Sequence, residues 1–109
     1  MPIRDEVREF LSLGPLPESQ AAEVAHLEQL QAALFRMPKP LTDEEAAQVA
    51  RMFGPDECYG LAQTLVAYIE SAPDALNHPD FPPEDGYWLR DLRDRARRYQ
   101  EYLKQQRES

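Results

Sequence analysis

The sequence predicts an all-α protein: residues 1–109 as one helical domain, a compact bundle of about five helices around a central apolar helix at about 55–70. Three observations predict it. Apolar residues recur at three- and four-residue spacing through most of the chain, and no stretch alternates as a strand would. Start and stop signals fall between the periodic stretches: Gly14-Pro15, Pro38-Lys39-Pro40, Thr42-Asp43-Glu44-Glu45 and Gly54-Pro55. Finally, the run 58–69 carries no formal charge in a chain that is 29% charged, which suits a helix wrapped by its neighbours. At twelve residues that run is too short for a membrane span of about 20.

Over 3–13, Ile3, Val7, Phe10 and Leu11 share one helical face, and the early acids Asp5 and Glu6 suit the positive end of the helix dipole. Gly14 suits a left-handed C-terminal cap, and Pro15 prevents continuation. A second helix is expected over 18–36. Val24, Leu27, Leu30, Leu34 and Met37 form its apolar stripe, and five alanines raise its propensity. His26 lies beside the stripe and reads as a structural histidine. Thr42 and Glu45 have the spacing of a capping box, opening a short third helix whose face is Ala46, Val49, Ala50 and Phe53. Gly54 closes it, and Pro55 is placed to begin the next helix, where its missing donor is not needed.

The fourth helix is apolar over most of its circumference, centred on Ala62, Leu65 and Ile69. Gly60 falls inside it at a cost of up to about 1 kcal/mol against alanine, so it is expected to admit a closely packed neighbour. Residues 71–85 form one long Pro-rich loop holding Pro73, Pro79, Pro82 and Pro83 with Asp74, Asp80, Glu84 and Asp85. A connection this long is functional or mobile; Phe81, Tyr87 and Trp88 are expected to pin it to the bundle. The last helix, 86–105, has a heptad-like seam of Leu89, Leu92, Ala96, Tyr99 and Leu103. Opposite charges at four-residue spacing lace its other faces: Arg90 with Asp94, Asp91 with Arg95, Asp94 with Arg98, Arg97 with Glu101.

The net charge of -8 is unevenly spread. Residues 1–40 hold six acids and four bases; residues 41–86 hold ten acids and Arg51 alone; residues 87–109 hold four acids and seven bases. Such a chain repels polyanions, so neither nucleic acid nor an anionic membrane is expected as a partner. Helices three and four have the outline of a helix-turn-helix, but the second lacks the Arg and Lys of a DNA reader. The start of the chain, 1–6, has no apolar stretch behind a basic segment, and Cys58 has no cysteine to pair with; a cytoplasmic protein is expected.

Little in the sequence points to catalysis. Asp74, His78 and Asp80 lack the paired His or Cys spacing of a metal site. Cys58 lies in the apolar run, where a buried thiol is the common case, although Asp56 and Glu57 place it near a helix start. No glycine loop suits a phosphate. No enzyme, metal or cofactor is expected. What remains is binding through a surface: Asp43, Glu44, Glu45, Asp56, Glu57, Asp74, Asp80, Glu84 and Asp85 as an acidic pole for a basic protein partner, with Tyr59, Tyr87 and Trp88 as aromatic anchors. The alternatives are a helical assembly subunit that oligomerises through apolar helix faces and, more remotely, a small enzyme using Cys58 or the 74–80 loop.

The stretch Phe53-Gly54-Pro55-Asp56-Glu57-Cys58-Tyr59-Gly60-Leu61-Ala62, with Ile69-Glu70-Ser71-Ala72-Pro73, resembles a segment of small uncharacterised bacterial proteins. In size, acidity and helical content the chain is similar to bacterial immunity proteins that neutralise cationic nuclease toxins. That resemblance implies an inhibitor that covers a toxin. The paired tyrosines of the nuclease-immunity bundles are absent, so no binding residue is carried over from them.

Overall fold

The computed structural model describes residues 3–83 and 86–108, of which Glu108 by its backbone alone. Five α-helices follow in order: α1, Asp5–Ser12; α2, Val24–Arg36; α3, Asp43–Val49; α4, Leu61–Glu70; and α5, Tyr87–Glu108. Short 3-10 turns extend α3 at Ala50–Met52 and interrupt the long loop at Ala75–Asn77. No strand occurs among the described residues. The structure is the expected all-α bundle.

Alpha-4, expected at the centre, is the most buried helix, but it packs on α3 and α5, and α3 meets more of the other elements. Leu61, Ala62, Leu65, Val66, Tyr68 and Ile69 are all buried, and each fully enclosed large aliphatic side chain contributes about 1.5–3 kcal/mol. The same core takes in Val7 and Phe10 of α1, Leu30, Ala33 and Leu34 of α2, Ala46, Ala47 and Val49 of α3, and Leu89 and Leu92 of α5. Alpha-1 packs on α2 and α3, α3 on α4 and the Ala75–Asn77 turn, and α4 on α5.

Local chemistry sets several boundaries as expected. Alpha-1 stops at Ser12 and Gly14 follows with φ 82°. The capping box is complete: Thr42 Oγ1 accepts from the Glu45 N–H at 3.1 Å, and Glu45 Oε1 accepts from the Thr42 N–H at 2.9 Å. The described part of the long loop, 71–83, is held by Phe81, which is buried, and by Arg93, which donates to the Pro82 carbonyl at 3.2 Å.

Two helix starts differ from expectation. Alpha-2 begins at Val24, not near residue 18, and Val24 is 70% exposed. The preceding segment is held as loop instead: Leu16 is buried, its N–H donates to the Met52 carbonyl at 2.8 Å, and the Ser19 N–H donates to Asp56. Alpha-4 begins at Leu61, not at 55–58, because Cys58, Tyr59 and Gly60 have φ of 46°, 53° and 88°. Left-handed residues cannot continue a right-handed helix. Gly60 is therefore the N-cap and not an interior residue, and it needs its positive φ rather than space. The close approach falls on Gly54, where an added Cβ would lie 1.9 Å from the Leu16 carbonyl oxygen.

Candidate functional site

Glu84 and Asp85 lie outside the described residues; the other predicted binding residues separate into three places. The first is the N-terminus of α3. Glu45 is fully buried and is not part of any surface. Its carboxylate takes Arg4 Nη2 at 2.6 Å and Arg4 Nε at 3.0 and 3.2 Å, and the Arg4 backbone N–H at 3.0 Å. Burial resists the charge, but the Arg4 guanidinium and the Thr42 and Arg4 backbone donors outweigh it and hold the carboxyl at about 2. Asp43, half-buried, accepts the Asp74 N–H at 2.9 Å and so ties the long loop to α3. Glu44 is half-buried beside them, and the Asp74 side chain is exposed.

The second place is the corner before α4. Asp56 accepts from the Ser19 N–H at 3.0 Å, the Ser19 hydroxyl at 3.0 Å and the Cys58 N–H at 2.9 Å. The Ser19 and Cys58 backbone donors, with the Ser19 hydroxyl, hold its carboxyl below the ordinary range. Tyr59 is 68% exposed along its ring while its hydroxyl donates to the Ser19 carbonyl at 3.0 Å. Left-handed Cys58 and Tyr59 each cost on the order of 1–3 kcal/mol, and these bonds offset that strain. Glu57 is exposed and takes only a 3.3 Å bond from Gln63 Nε2.

The third place adjoins the corner. Trp88 stacks on Phe53 with ring centres 5.8 Å apart and planes at 10°, and Tyr87 meets Trp88 edge-on at 5.0 Å. Together with Gly54, Pro82 and Pro83 these rings line a cleft of about 280 Å³. Arg51, the one base of residues 41–86, also lines it. Tyr87 is 70% exposed and Trp88 half-buried. Phe53 and Gly54 of the cleft lead through Pro55 into Asp56, so cleft and corner follow one another along the chain. Asp80 stands apart: its carboxylate is 4.0 Å from His78 Nδ1, which accepts the Asp80 N–H.

Chemically, the arrangement suits binding. Cys58 is completely buried, and burial together with the Asp56 charge pushes its thiol up, the reverse of an activated nucleophile. Among the described residues no group of three or more His, Cys, Asp or Glu side chains is placed to hold a metal ion. Nor is any helix among them long and apolar enough to cross a membrane. In comparisons with known proteins, no family model, no curated protein and no solved structure matches this chain.

Ser19, inside the helix expected over 18–36, lies in the loop before α2 and bonds Asp56; Pro15 and Pro17 just before it are the sequence signal for that loop. Phe53, read as core, is half-buried and forms one wall of the aromatic cleft.

Proposed function

We propose that this chain is a non-enzymatic acidic binding protein that covers a basic protein partner, an inhibitor of the immunity or antitoxin type. One observation carries the reading: Glu57, Tyr59 and Tyr87, on the corner and the cleft that follow one another along the chain, are all exposed to solvent. Exposed tyrosines make effective anchors because they bury large area at low entropic cost. Among the described residues no Lys or Arg forms an ion pair with Glu57, Asp43 or Asp74, so these three charges are left for a partner to neutralise. Opposite fields speed encounter and fix orientation. Size, acidity and helical fold support the likeness to toxin-neutralising immunity proteins.

The test is calorimetric titration of the purified chain with the products of its neighbouring genes and with a set of cationic nuclease domains. A complex with a basic protein is expected, weakening tenfold or more between about 50 and about 300 mM salt. Glu57→Lys combined with Tyr87→Ala should weaken it at least as much. A complex indifferent to salt and to both substitutions, or no complex with any basic protein tested, overturns the proposal.

A further inference from the structure

Among the described residues, most of the large hydrophobic side chains left exposed are tyrosines, whose hydroxyls tolerate water. Val24 at 70% and Phe35 at 60% are different: neither side chain has a polar atom, and both lie on α2. They are eleven residues apart, close to three whole turns, so they share one face of the helix. Between them Ala25 and Ala32 are also exposed. The opposite face, with Leu30, Ala33 and Leu34, is the one buried in the core. Single exposed apolar residues are ordinary, but a continuous apolar face on a helix whose other side already holds the fold calls for a partner.

This face is a ridge beside a groove. Val24, Glu28 and Phe35 fall within about 40° of one another around the helix and form the ridge. Beside it an open groove of about 490 Å³ lies between α1 and α2, with Leu13, Ala25 and Ala32 as apolar walls. Arg36 also lines it and pairs with Glu9 of α1. Charge indicates which partner. Residues 24–36 hold one acid, Glu28, and one base, Arg36, in a chain of net charge -8. A basic partner gains more on the acidic block of 41–86, and a second copy, repelled by like charge there, meets no net charge on α2. The face is also complementary to itself, because an antiparallel neighbour places ridge in groove on both sides.

We propose that α2 pairs with α2 of a second copy, antiparallel about a two-fold axis near residue 30. Phe35 of each chain then stands opposite Ala25 of the other. Helical side chains lean toward the N-terminus of their own helix, so the ring falls between Ala25 and Ala32 in the groove. Val24 covers the aliphatic stem of Arg36. Glu28 of each copy lies about 6 Å along the axis from the other's Arg36, within reach of its guanidinium. The contact closes on itself and leaves no open end for growth. With 13 residues, α2 is only about 20 Å long. The interface is therefore at the low end for specific contacts, about 1,200 Å² or less, and the dimer is weak, with a dissociation constant of about 10–100 μM. No residue of the 41–86 block takes part, so this proposal and the function proposed above stand or fall separately.

Sedimentation equilibrium of the full chain between about 1 and about 300 μM tests it. The wild type should pass from monomer to dimer across this range. Val24→Ser with Phe35→Ser should weaken the dimer at least tenfold with unchanged far-ultraviolet dichroism, since neither side chain enters the core. Glu28→Arg alone and Arg36→Glu alone should each weaken it as well, and mixing these two variants should restore association, because each changed charge then meets its opposite. A monomeric wild type at every concentration overturns the proposal, as does a dimer that the serine variants leave intact or a mixture no more associated than its components. So does loss of the basic partner's binding in the serine variants, which would assign the α2 face to that partner.

Discussion

Glu45 and Glu57 belong to the same acidic block, twelve residues apart, and the fold uses them in opposite ways. Glu45 has no exposed surface, and its two oxygens take Arg4 and two backbone N–H groups. Glu57 is exposed and meets one amide. Asp56 sides with Glu45, since its carboxylate clamps Ser19 and Cys58; Asp74 sides with Glu57. A negative block in a sequence is therefore two populations. One holds loops and helix starts in place, and the other is left to face a partner.

Removing an acid of the first kind should have the largest effect. Glu45→Ala strands the Arg4 guanidinium and opens the start of α3. Because Arg4 is partly exposed and can recover some hydration, the expected loss is about 2–3 kcal/mol, below that of a fully enclosed pair, read from urea unfolding at neutral pH. Glu45→Gln retains the capping geometry and should lose less, isolating the charge. The pH dependence carries the same signature. The folded carboxyl sits at about 2 against an ordinary 4.5, so its contribution is complete above about pH 4.5 and fades as pH falls toward 2. The wild type should lose about 2–3 kcal/mol over that window, and Glu45→Gln should lack that component.

Next in size is Gly54→Ala, which tests how the corner is held. With 1.9 Å between the new Cβ and the Leu16 oxygen, the two loops must separate, at about 1–3 kcal/mol. Asp56→Ala should lower the urea midpoint by releasing the same loop from the other side. Smallest of all, Glu57→Gln and Asp74→Asn should leave the midpoint where it is. Equal destabilisation by Asp56→Ala and Glu57→Gln would erase the distinction between the two populations.

How legible this was depended on how local the cause is. The capping box of Thr42 and Glu45 and the end of α1 at Gly14 are written in a few adjacent residues and were read correctly. The apolar face of α4 was legible because six of its ten residues enter the core. What depended on distant partners was not. Nothing near residue 45 announces Arg4, forty-one positions away, so Glu45 was placed on the surface. Asp56, expected in the acidic pole, likewise spends its carboxylate on Ser19, thirty-seven positions away, and on Cys58. The heptad-like seam of 89–103 enters the core only at Leu89 and Leu92, and Tyr99 is 60% exposed, because α5 is far longer than the helices beside it. On that last helix, the expected pairing of Asp91 with Arg95 gives way to Glu70 on α4, and Arg97 meets Asp94 at 3.5 Å.

The division of the acidic block is most directly tested by following the side-chain carboxyl carbon of Glu45 by NMR from pH 7 down to the onset of unfolding. The structure predicts a midpoint near 2, with Glu45 still ionised when an ordinary glutamate has already titrated. A Glu45 midpoint near 4.5 in the folded chain would mean that Arg4 does not hold it, and the separation into structural and presented acids would fail.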